Sequence, residues 1–460
     1  MPFLPPQDIA IIGGGAAGTL TALHVLRQAD GPLRIAILEP RPCLGHGGAH
    51  ATEHAEHLLN VRAGGMSAFS AVPGDFVDWL QHDMPETPRE ALAASFQPRR
   101  RFAEYLAARL AQAQQARQAT LIHLRVRALE LEQADDDFAL ALADGTTLHA
   151  AAVVLATGNA PRPLPARGAS SLPAGRRVEA WDIPAIERIA PEARVCIVGS
   201  GLSMVDAAMA LLSAGHTGPL HVVSRHGLMP LPHVDGQPAY GLDIDAFAAL
   251  PLRARMRALR QEIADAQARG VPWQSVIDAL RPHVQRLWTT LSAGDQRRFL
   301  RHVVRLWDVH RHRIAPAIHQ QLMAAMARGQ LQRHRARLAT AIAGERCVQL
   351  QGQDRVGQML TLDVEHVINA TGVELRIQAM GNPLLTELIG RGLARPGPHG
   401  IGLDTAPDGR LRDADGHAQF GLFALGSLRI GTLWESLAIP ELRGQAEGIA
   451  SDLLGKTPTD

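Results

Sequence analysis

The pattern that most constrains this chain is a short apolar run followed by a glycine-rich turn. Residues 9–12 are all aliphatic, and Gly13, Gly15 and Gly18 then fit the spacing G-x-G-x-x-G at the start of a helix. In such a turn the first glycine permits the tight bend, the second lets a pyrophosphate approach the backbone, and the third lets the helix pack on the sheet. A second apolar strand ends at Glu39, about twenty residues further on, where a carboxylate can accept hydrogen bonds from ribose hydroxyls. This order predicts a dinucleotide site, and the alternative is a tight helix–strand turn that binds no ligand.

A second turn of the same type occurs near residue 200. Gly199 and Gly201 match the first two glycines, whereas Met204 takes the third place, which relaxes helix–strand packing but leaves phosphate approach intact. The next strand ends in Ser224 and Arg225 rather than in an acid. An acid would repel a 2′-phosphate, whereas arginine pairs with one. We therefore predict bound FAD at the first turn and NADPH at the second; the alternative for Arg225 is a surface salt bridge.

Length and composition narrow the class of protein. A chain of 460 residues is too long for one core and predicts two or three domains. The net charge of +1 implies no broad attraction to nucleic acid or an anionic membrane, and no apolar run is long enough to span a bilayer. No signal-peptide pattern is present, and the three cysteines form no C-x-x-C pair. We expect a cytoplasmic protein in a reducing compartment rather than a disulfide-exchanging flavoenzyme.

The segment after Glu39 is rich in glycine and lacks regular periodicity. Pro40 and Gly47 belong to a loop that can lie along an extended cofactor, and Asn60 and Met66 follow in irregular backbone of the kind that often serves a ligand. Four histidines also occur here: His46, His50, His54 and His57. A metal site is the less favoured interpretation, because glycines interrupt any regular helix and no zinc spacing is present.

Two further strands end in the sequence Ala-Thr-Gly. Residues 121–126, 138–142 and 147–150 are predicted to form a small antiparallel excursion, after which a buried strand ends at Thr157 and Gly158. In flavoproteins with two dinucleotides such a strand end abuts the cofactor. The second strand ends at Thr371 and Gly372, and we expect it to lie beside the sheet of the first domain.

Cationic residues concentrate at the end of a helical region over 243–332. Arg311 and Arg313 could form an anion site, with a network of paired charges as the alternative. Arg99 and Arg101 could meet a phosphate or an anionic substrate, or could belong to a solvated helix start. Three nearby histidines lack the acidic or cysteine partners of a metal site: His302, His310 and His312.

The sequence pattern of the last part of the chain predicts a strand, a loop and a closing helix. The strand covers 421–425, the loop contains Gly431, and the helix covers 440–454. This order would present a helix N-terminus to the pyrimidine end of a flavin, where reduced flavin gathers negative charge. A core helix alone would not account for the polar set of Trp434, Glu435, Glu441 and Arg443.

Several short motifs together resemble a family of bacterial FAD/NAD(P)-binding proteins that is distantly similar to the class B flavoprotein monooxygenases. The residues that carry the resemblance are Gly45-His-Gly-Gly-Ala, Leu59-Asn-Val, Pro98-Arg99 with Tyr105-Leu106, Gly199-Ser-Gly-Leu with Met204-Val-Asp, Ser224-Arg225, Trp307-Asp-Val-His-Arg-His-Arg, and Leu433-Trp-Glu with Ile439-Pro-Glu-Leu-Arg. In that family an aromatic residue, usually tyrosine, follows the first motif. His50 stands there in this chain, so its flavin environment would differ.

The resemblance implies an α/β fold with two Rossmann-like dinucleotide-binding domains, the second inserted in the first and carrying a helical insertion. We expect the FAD domain at 1–189 and 336–460 and the NADPH domain at 190–335, with the helical insertion at about 243–332. The expected reaction is NADPH reduction of FAD, followed by oxygen capture and hydroxylation of a small nucleophilic nitrogen or sulfur. An NADPH-dependent reductase or oxidase and a flavin-bearing redox sensor remain alternatives.

The candidate site residues follow from these patterns and from the resemblance. The catalytic candidates are Asn60, Arg311 and Arg313. The cofactor-binding candidates are Gly13, Gly15, Ala16, Ala17, Gly18, Glu39, Pro40, Gly47, Asn60, Met66, Thr157, Gly158, Gly199, Gly201, Leu202, Ser203, Ser224, Arg225, Thr371, Gly372, Gly426, Gly431 and Leu433. No residue is identified as an acid–base catalyst, and no metal ligand is assigned.

Overall fold

The computed structural model describes residues 4–48, 50–116, 119–134 and 137–456. Ala49, in the first motif of the resemblance, lies outside the described residues. The chain forms two compact units. Unit 1 contains the chain through residue 53, residues 61–160 and the chain from residue 374 onwards. Unit 2 contains residues 54–60 and 161–373, so that both ends of the chain lie in unit 1.

The described residues form helices and strands along most of the chain. The strands are β1 (Gln7–Ile12), β2 (Arg34–Leu38), β3 (Thr120–Leu124), β4 (Ala128–Ala134), β5 (Asp137–Leu142), β6 (Thr147–Leu155), β7 (Ala160–Pro161), β8 (Arg177–Glu179), β9 (Val195–Val198), β10 (Leu220–Ser224), β11 (Leu331–Arg335), β12 (Arg337–Ala343), β13 (Val348–Gln353), β14 (Met359–Val364), β15 (His366–Asn369), β16 (Val373–Glu374), β17 (Arg410–Arg412) and β18 (Ala418–Ala424). The α-helices are α1 (Ala16–Gln28), α2 (Asp75–Asp83), α3 (Arg89–Ala94), α4 (Arg99–Gln115), α5 (Ile183–Glu187), α6 (Leu202–Ser213), α7 (Ile244–Ala249), α8 (Leu252–Ala268), α9 (Trp273–Leu280), α10 (Val284–Thr289), α11 (Ala293–Arg298), α12 (Val304–Arg311), α13 (Pro316–Ala327), α14 (Pro383–Gly390), α15 (Ile430–Leu433) and α16 (Ile439–Leu453).

Unit 1 is built on an eight-stranded mixed sheet whose main path has the order β17-β18-β6-β1-β2-β3. Strands β18, β6, β1, β2 and β3 run parallel, and β17 is an antiparallel edge. The first half of β6 pairs antiparallel with β5, which in turn pairs with β4. The expected antiparallel excursion is therefore confirmed for residues 138–142 and 147–150, which lie in β5 and β6, and is wrong for residues 121–126; the third antiparallel strand is β4, which the sequence analysis did not predict. Strand β3 pairs parallel with β2, and its alternating pattern reflects a half-exposed edge strand.

Alternate residues of the central strands face two helical layers. Ala10, Ile12, Val153 and Leu155 join a buried apolar cluster that includes the leucines of α14. Helix α1 is buried over nearly its whole length and packs against α16. Because parallel strands buried on both faces read as continuous apolar runs, residues 9–12 could be recognised as a strand from the sequence.

Unit 2 has a five-stranded parallel sheet of order β11-β10-β9-β15-β8 and a three-stranded antiparallel sheet of order β12-β13-β14. Strand β15 hydrogen-bonds to β9 and β8. The expectation that the strand before Thr371 and Gly372 lies beside the first domain's sheet is therefore wrong. Because β15 pairs within this sheet, two sequence boundaries between the units fall at 160/161 and 373/374. We expected these boundaries near 190 and 335.

Helices α7–α13 fill the region between β10 and β11, where the helical insertion was expected. Their apolar residues form a separate buried cluster that includes Phe247, Leu259 and Val276. A π-helical segment, Phe299–Val303, joins α11 to α12. None of the helices in the described part of the chain is both long and apolar enough to cross a membrane.

Candidate functional site

The first glycine turn, between β1 and α1, is closed by backbone contacts that exclude side chains. Gly13 has φ of 110°, and a Cβ there would lie 2.2 Å from the carbonyl oxygen of Ala156 at the end of β6. A Cβ at Gly18 would lie 1.9 Å from the carbonyl oxygen of Gly13. Both glycines are therefore required for the turn to pack against the sheet. Helix α1 begins at Ala16 without a side-chain cap, so its first N–H groups are available to a ligand.

The glycine-rich loop after β2 is bound directly to this turn. The Gly45 N–H donates to the carbonyl oxygen of Gly14 at 2.8 Å and to Thr19 Oγ1 at 2.9 Å. Gly47 approaches Gly15 so closely that a Cβ on either residue would lie 3.1 Å from the Cα of the other. The predicted residues Gly15 and Gly47 are thus brought together, and their glycines keep the two backbones in contact.

Glu39 lies where the sequence placed the ribose acid, but protein groups surround its carboxylate. The Gly14 N–H donates to Oε2 at 3.1 Å. Arg41 donates from its backbone N and Nε to Oε1, both at 3.0 Å, and from Nη2 to Oε2 at 3.1 Å. Burial alone would raise the pKa of Glu39, but the bonds from Arg41 and Gly14 outweigh it and lower the pKa. Glu39 is therefore ionised and fully hydrogen-bonded, while Pro40 beside it is exposed.

The end of β6 meets the loop after β18. Ser427 Oγ donates to the carbonyl oxygen of Gly158 at 2.8 Å. A Cβ at Gly426 would lie 3.8 Å from the Cβ of Ala17 on α1. Among the described residues the buried Thr157 Oγ1 has no hydrogen-bond partner. The residues predicted from the two ends of the chain, Ala17, Thr157, Gly158 and Gly426, are thus neighbours in unit 1.

The loop after α15 has an unusual backbone. Gly431 packs so tightly that a Cβ would lie 2.0 Å from the carbonyl oxygen of Ile401. Leu433 ends α15, and Trp434 then has φ of 63°, a conformation that bulky residues rarely adopt. Thr432 Oγ1 is buried without a hydrogen-bond partner among the described residues. Strained backbone and an unpartnered hydroxyl at one point are typical of a ligand site.

Met66 is buried in unit 1 directly after the 3₁₀ turn Ala63–Gly65. Arg101, one of the possible phosphate ligands, pairs with Glu104 at 2.8 Å and with Asp83. Its guanidinium also lies 4.6 Å from the ring centroid of Trp79. These contacts favour the structural interpretation of Arg101.

The second glycine turn repeats the first in unit 2. Gly199 has φ of 114°, and a Cβ would lie 2.0 Å from the carbonyl oxygen of Ala370. A Cβ at Gly201 would meet no atom of the described residues within 4 Å, so none of them fills its space. Helix α6 begins with Leu202 and Ser203, again without a side-chain cap. Met204 is fully buried in the place of the third glycine.

Ser224 at the end of β10 is held in a local hydrogen-bond network. Its Oγ lies 2.9 Å from Ser200 Oγ and accepts the Gly227 N–H at 3.0 Å. Its backbone oxygen accepts the Ala336 N–H at 3.1 Å. Ser224 therefore fixes the turn that carries Arg225.

A basic cluster surrounds Arg225, and we define it as Arg225, Arg305, Arg335, Arg337 and Arg355. Arg225 is exposed overall, but partial desolvation of its guanidinium and the charges of Arg305 and Arg337 lower its pKa. Arg355 Nη2 lies 3.3 Å from Nδ1 of His226, and burial and four of these arginines lower the pKa of that histidine. Within the described residues, Arg225 makes no ion pair with a carboxylate, whereas Arg305 pairs with Asp308 at 2.9 Å. The concentration of like charge creates a positive potential that would favour an anion.

Thr371 and Gly372 end β15 beside the second turn. Thr371 Oγ1 lies 2.7 Å from Asn369 Oδ1 and 3.0 Å from the carbonyl oxygen of Arg162. Gly372 has φ of 89°, and in the described part of the chain no atom lies within 4 Å of where its Cβ would be. These two residues therefore belong with Gly199 rather than with Gly13.

The three catalytic candidates all group in unit 2. Arg311 and Arg313 are buried, and Arg313 pairs with Asp278. Nε2 of His233 lies 3.0 Å from the carbonyl oxygen of Asn60. The Arg313–Asp278 pair favours the charge-network alternative for Arg313.

The four histidines of the N-terminal segment form two pairs: His46 is near enough to affect the pKa of His50, and the rings of His54 and His57 stack with centroids 4.9 Å apart. His50 packs against Phe102 with ring centroids 5.5 Å apart, and burial with the charges of Arg99 and His46 lowers its pKa to about 3. His54 instead contacts Glu187 at 2.8 Å. Across the described ranges, the only group with metal-like spacing is Asp413, Asp415 and His417 on a turn.

A protein-family model matches the N-terminal part of the chain. Residues 10–160 match the family model described as FAD-NAD(P)-binding. This match bears out the predicted resemblance and places the first glycine turn, Glu39 and Thr157 in an FAD/NAD(P)-binding domain. None of the curated proteins compared matches the chain.

Solved structures with the same fold cover nearly the whole chain. The reduced form of an ornithine hydroxylase from Pseudomonas aeruginosa has a TM-score of 0.69 and 17% identity, over 98% of this chain and 99% of that one. An ornithine N-hydroxylase from Kutzneria sp. 744 has a TM-score of 0.65 and 16% identity, over 98% and 99%. A cadaverine monooxygenase from Erwinia amylovora has a TM-score of 0.62 and 15% identity, over 98% and 95%. At these identities the likeness shows the fold, and the predicted α/β architecture with two dinucleotide-binding domains is confirmed.

The residues around the first glycine turn would fit a dinucleotide. The uncapped start of α1 offers N–H groups to a pyrophosphate, and the side-chain-free contact of Gly15 with Gly47 lets it approach. Buried hydroxyls of Thr157 and Thr432 make no hydrogen bond among the described residues and suit a polar ligand.

Sequence reasoning missed four members of the basic cluster. Arg335 and Arg337 belong to an alternating arginine run in residues 333–337, which is visible in the sequence. Arg335 is paired in register with Ser224, and this requires knowing that β11 lies beside β10. Arg305 comes from α12 and gave no local signal.

Proposed function

We propose that this protein is an FAD-dependent, NADPH-reduced monooxygenase that hydroxylates a small nucleophilic substrate, with an amine nitrogen as the first choice and sulfur as the second. The observation that carries the proposal is the pair of glycine turns, one in each unit, with the basic cluster at the second. The similarly folded proteins from Pseudomonas aeruginosa and Kutzneria are ornithine hydroxylases, and that from Erwinia amylovora is a cadaverine monooxygenase. These names support an amine as the substrate class.

The two turns would divide the binding of the two dinucleotides. Gly13, Gly15 and the start of α1 would hold the FAD pyrophosphate, and Gly199, Gly201 and the start of α6 would hold that of NADPH. FAD, when bound, supplies hydride acceptance from NADPH and activation of molecular oxygen. The overall balance is amine, O2, NADPH and a proton giving hydroxylamine, water and NADP⁺.

The basic cluster would select NADPH. Desolvation is the main cause of the lowered pKa of Arg225, and the charges of Arg305 and Arg337 add to it, so a bound 2′-phosphate would offset this repulsion as well as accept hydrogen bonds. NADH lacks that phosphate and would gain nothing from the cluster. Ser224 would act by holding the turn, because its Oγ already accepts the Gly227 N–H.

The chain offers candidates for the hydroxylation site but no acid–base catalyst. The side-chain amide of Asn60 makes no hydrogen bond to any described residue, which leaves it available to flavin or substrate. Arg311 would attract an anionic group of the substrate. Arg313 has its carboxylate partner in Asp278 and would support that site indirectly.

The alternatives differ from a monooxygenase in where the electrons of NADPH go. Flavin content, NADPH consumption, oxygen uptake, peroxide release and hydroxylated product should be measured together, with ornithine, lysine, cadaverine and a thiol as substrates. A monooxygenase yields hydroxylated product in proportion to NADPH consumed. An oxidase yields peroxide instead, a reductase requires an added acceptor, and a redox sensor shows no steady turnover; each of these three results would overturn the proposal.

We further propose a reducing, cytoplasmic location. The cysteines Cys43, Cys196 and Cys347 are all free, and Cys196 is buried. Thiol titration of protein prepared without reductant should find all three as thiols. A disulfide-linked species would contradict this location.

A further inference from the structure

Residues 54–60 lie between two parts of unit 1 in the sequence but group with unit 2. Two histidines of the segment hold it there. His54 Nε2 lies 2.8 Å from Glu187 Oε1 near the end of α5. His57 Nε2 lies 3.0 Å from the carbonyl oxygen of Asp206 on α6. The segment is therefore fixed to α5, which precedes the second glycine turn, and to α6, which follows it.

The end of the segment is held by a third histidine, which belongs to a different part of the chain. His233 Nε2 lies 3.0 Å from the carbonyl oxygen of Asn60. A carbonyl oxygen only accepts hydrogen bonds, so Nε2 of His233 carries the proton and donates. The contact fixes the backbone of Asn60 and leaves its side-chain amide without a hydrogen bond to the described residues.

The backbone around His233 is itself anchored to the end of α12. The His233 N–H donates to the carbonyl oxygen of Ile314 at 3.0 Å, and the Ile314 N–H donates to that of Leu231, also at 3.0 Å. Ile314 directly follows Arg313, and both are buried. One side chain, that of His233, therefore connects the backbone of Asn60 to the segment that carries Arg311 and Arg313.

We propose that His233 is a positioning residue for hydroxylation, which sets the backbone of Asn60 in register with the segment of Arg311 and Arg313. This inference rests on the proposed function, since it assumes that the Asn60 amide meets the substrate. The amide is carried on a short side chain, so its direction follows the backbone that His233 fixes. Loss of the bond should increase the mobility of the amide. More of the NADPH consumed should then yield peroxide instead of hydroxylated product.

The test compares two substitutions of His233 with a matched control. His233→Leu removes the donor, whereas His233→Gln keeps an N–H group at about the position of Nε2. His302→Leu removes an exposed histidine of the same unit. The FAD-loaded proteins should be compared for flavin content, NADPH-driven flavin reduction, the ratio of product to peroxide, and amide hydrogen exchange in peptides covering 54–66.

In His233→Leu we expect exchange at the Asn60 end of the segment to be about two- to tenfold faster, since one neutral hydrogen bond contributes on this order. The ratio of product to peroxide should fall by a similar factor, while flavin content and the rate of flavin reduction stay near wild type. His233→Gln should recover most of both losses, and His302→Leu should show neither.

Two results would overturn the inference. Unchanged exchange in His233→Leu would mean that the bond does not order the segment. Faster exchange with an unchanged ratio of product to peroxide would mean that the bond is structural only. A wild-type protein that makes no hydroxylated product would instead refute the proposed function, and with it any part of His233 in hydroxylation, while the exchange data would still report whether His233 orders the segment.

Discussion

Replacing Arg225 with alanine should weaken NADPH binding and leave NADH binding almost unchanged. Arg225 follows β10 and lies among Arg305, Arg335, Arg337 and Arg355, without a carboxylate partner among the described residues. A charge-assisted hydrogen bond contributes roughly 1.5–3 kcal/mol, or about ten- to a hundredfold in affinity. Arg225 is exposed, so solvent screens its charge, and its neighbours remain in the variant. We therefore expect an effect at the lower end of this range: the KM for NADPH should rise about tenfold, and the KM for NADH should change less than about twofold.

The KM values for NADPH and NADH should be measured from the rate of flavin reduction at fixed ionic strength. Arg305→Ala should show a smaller effect of the same kind, because Arg305 keeps part of its charge engaged with Asp308. Arg260→Ala is the matched control, since it removes an exposed arginine of α8 outside the cluster. The preference for NADPH should also shrink as salt is raised. Equal losses with both coenzymes in Arg225→Ala would show that Arg225 is structural and would leave the choice of coenzyme unexplained.

Three further predictions concern the turns and the N-terminal loop. Gly15→Val should abolish FAD retention, because even a Cβ would lie 3.1 Å from the Cα of Gly47; wild-type flavin absorbance in the purified variant would contradict this. Gly201→Ala should leave the thermal unfolding temperature unchanged, because its Cβ would meet no atom of the described residues, yet should raise the NADPH KM at least about tenfold by filling the pyrophosphate's space; unchanged kinetics would contradict the assignment of that site. The wild type should lose stability as pH falls from 6.5 toward 3, because His50 has a folded pKa of about 3 and the unfolded chain takes up its proton first. His50→Phe should remove about 1–2 kcal/mol of that loss at pH 5, allowing for the partly exposed ring, and parallel unfolding curves of both proteins between pH 7 and 5 would contradict the assignment.

The fold could be predicted largely because its signals are local. The apolar run, the glycines at 13, 15 and 18, and the apolar strand before Glu39 lie within one continuous segment, and each reflects a steric requirement that the structure shows. Strand pairing is not local in this sense. The alternation in residues 121–126 fits an antiparallel hairpin and a half-exposed parallel edge equally well, and only the pairing with β2 distinguishes them.

The candidate site could be predicted less completely for the same reason. Arg225 follows a strand at the position that faces the ribose in dinucleotide-binding folds, so its sequence position alone suggested the role proposed for it. Arg305 and His233 come from distant segments, and their roles depend on where α12 and the loop after β10 lie. The strand before Thr371 was misplaced because two sheets of the same type were available and its sequence suits either.

The hydrogen bonds around Glu39 change how a ribose could use this acid. Two carboxylate oxygens offer about four acceptor positions, and the N–H groups of Gly14 and Arg41 fill four of them. A ribose hydroxyl that binds Glu39 would therefore have to displace one of the N–H groups that already donate to the carboxylate. Its net gain is the difference between two similar hydrogen bonds, which is small compared with the strength of either. Retention of a dinucleotide at this turn would then depend mainly on the backbone around Gly15, and Glu39 would serve chiefly to fasten the turn to Arg41.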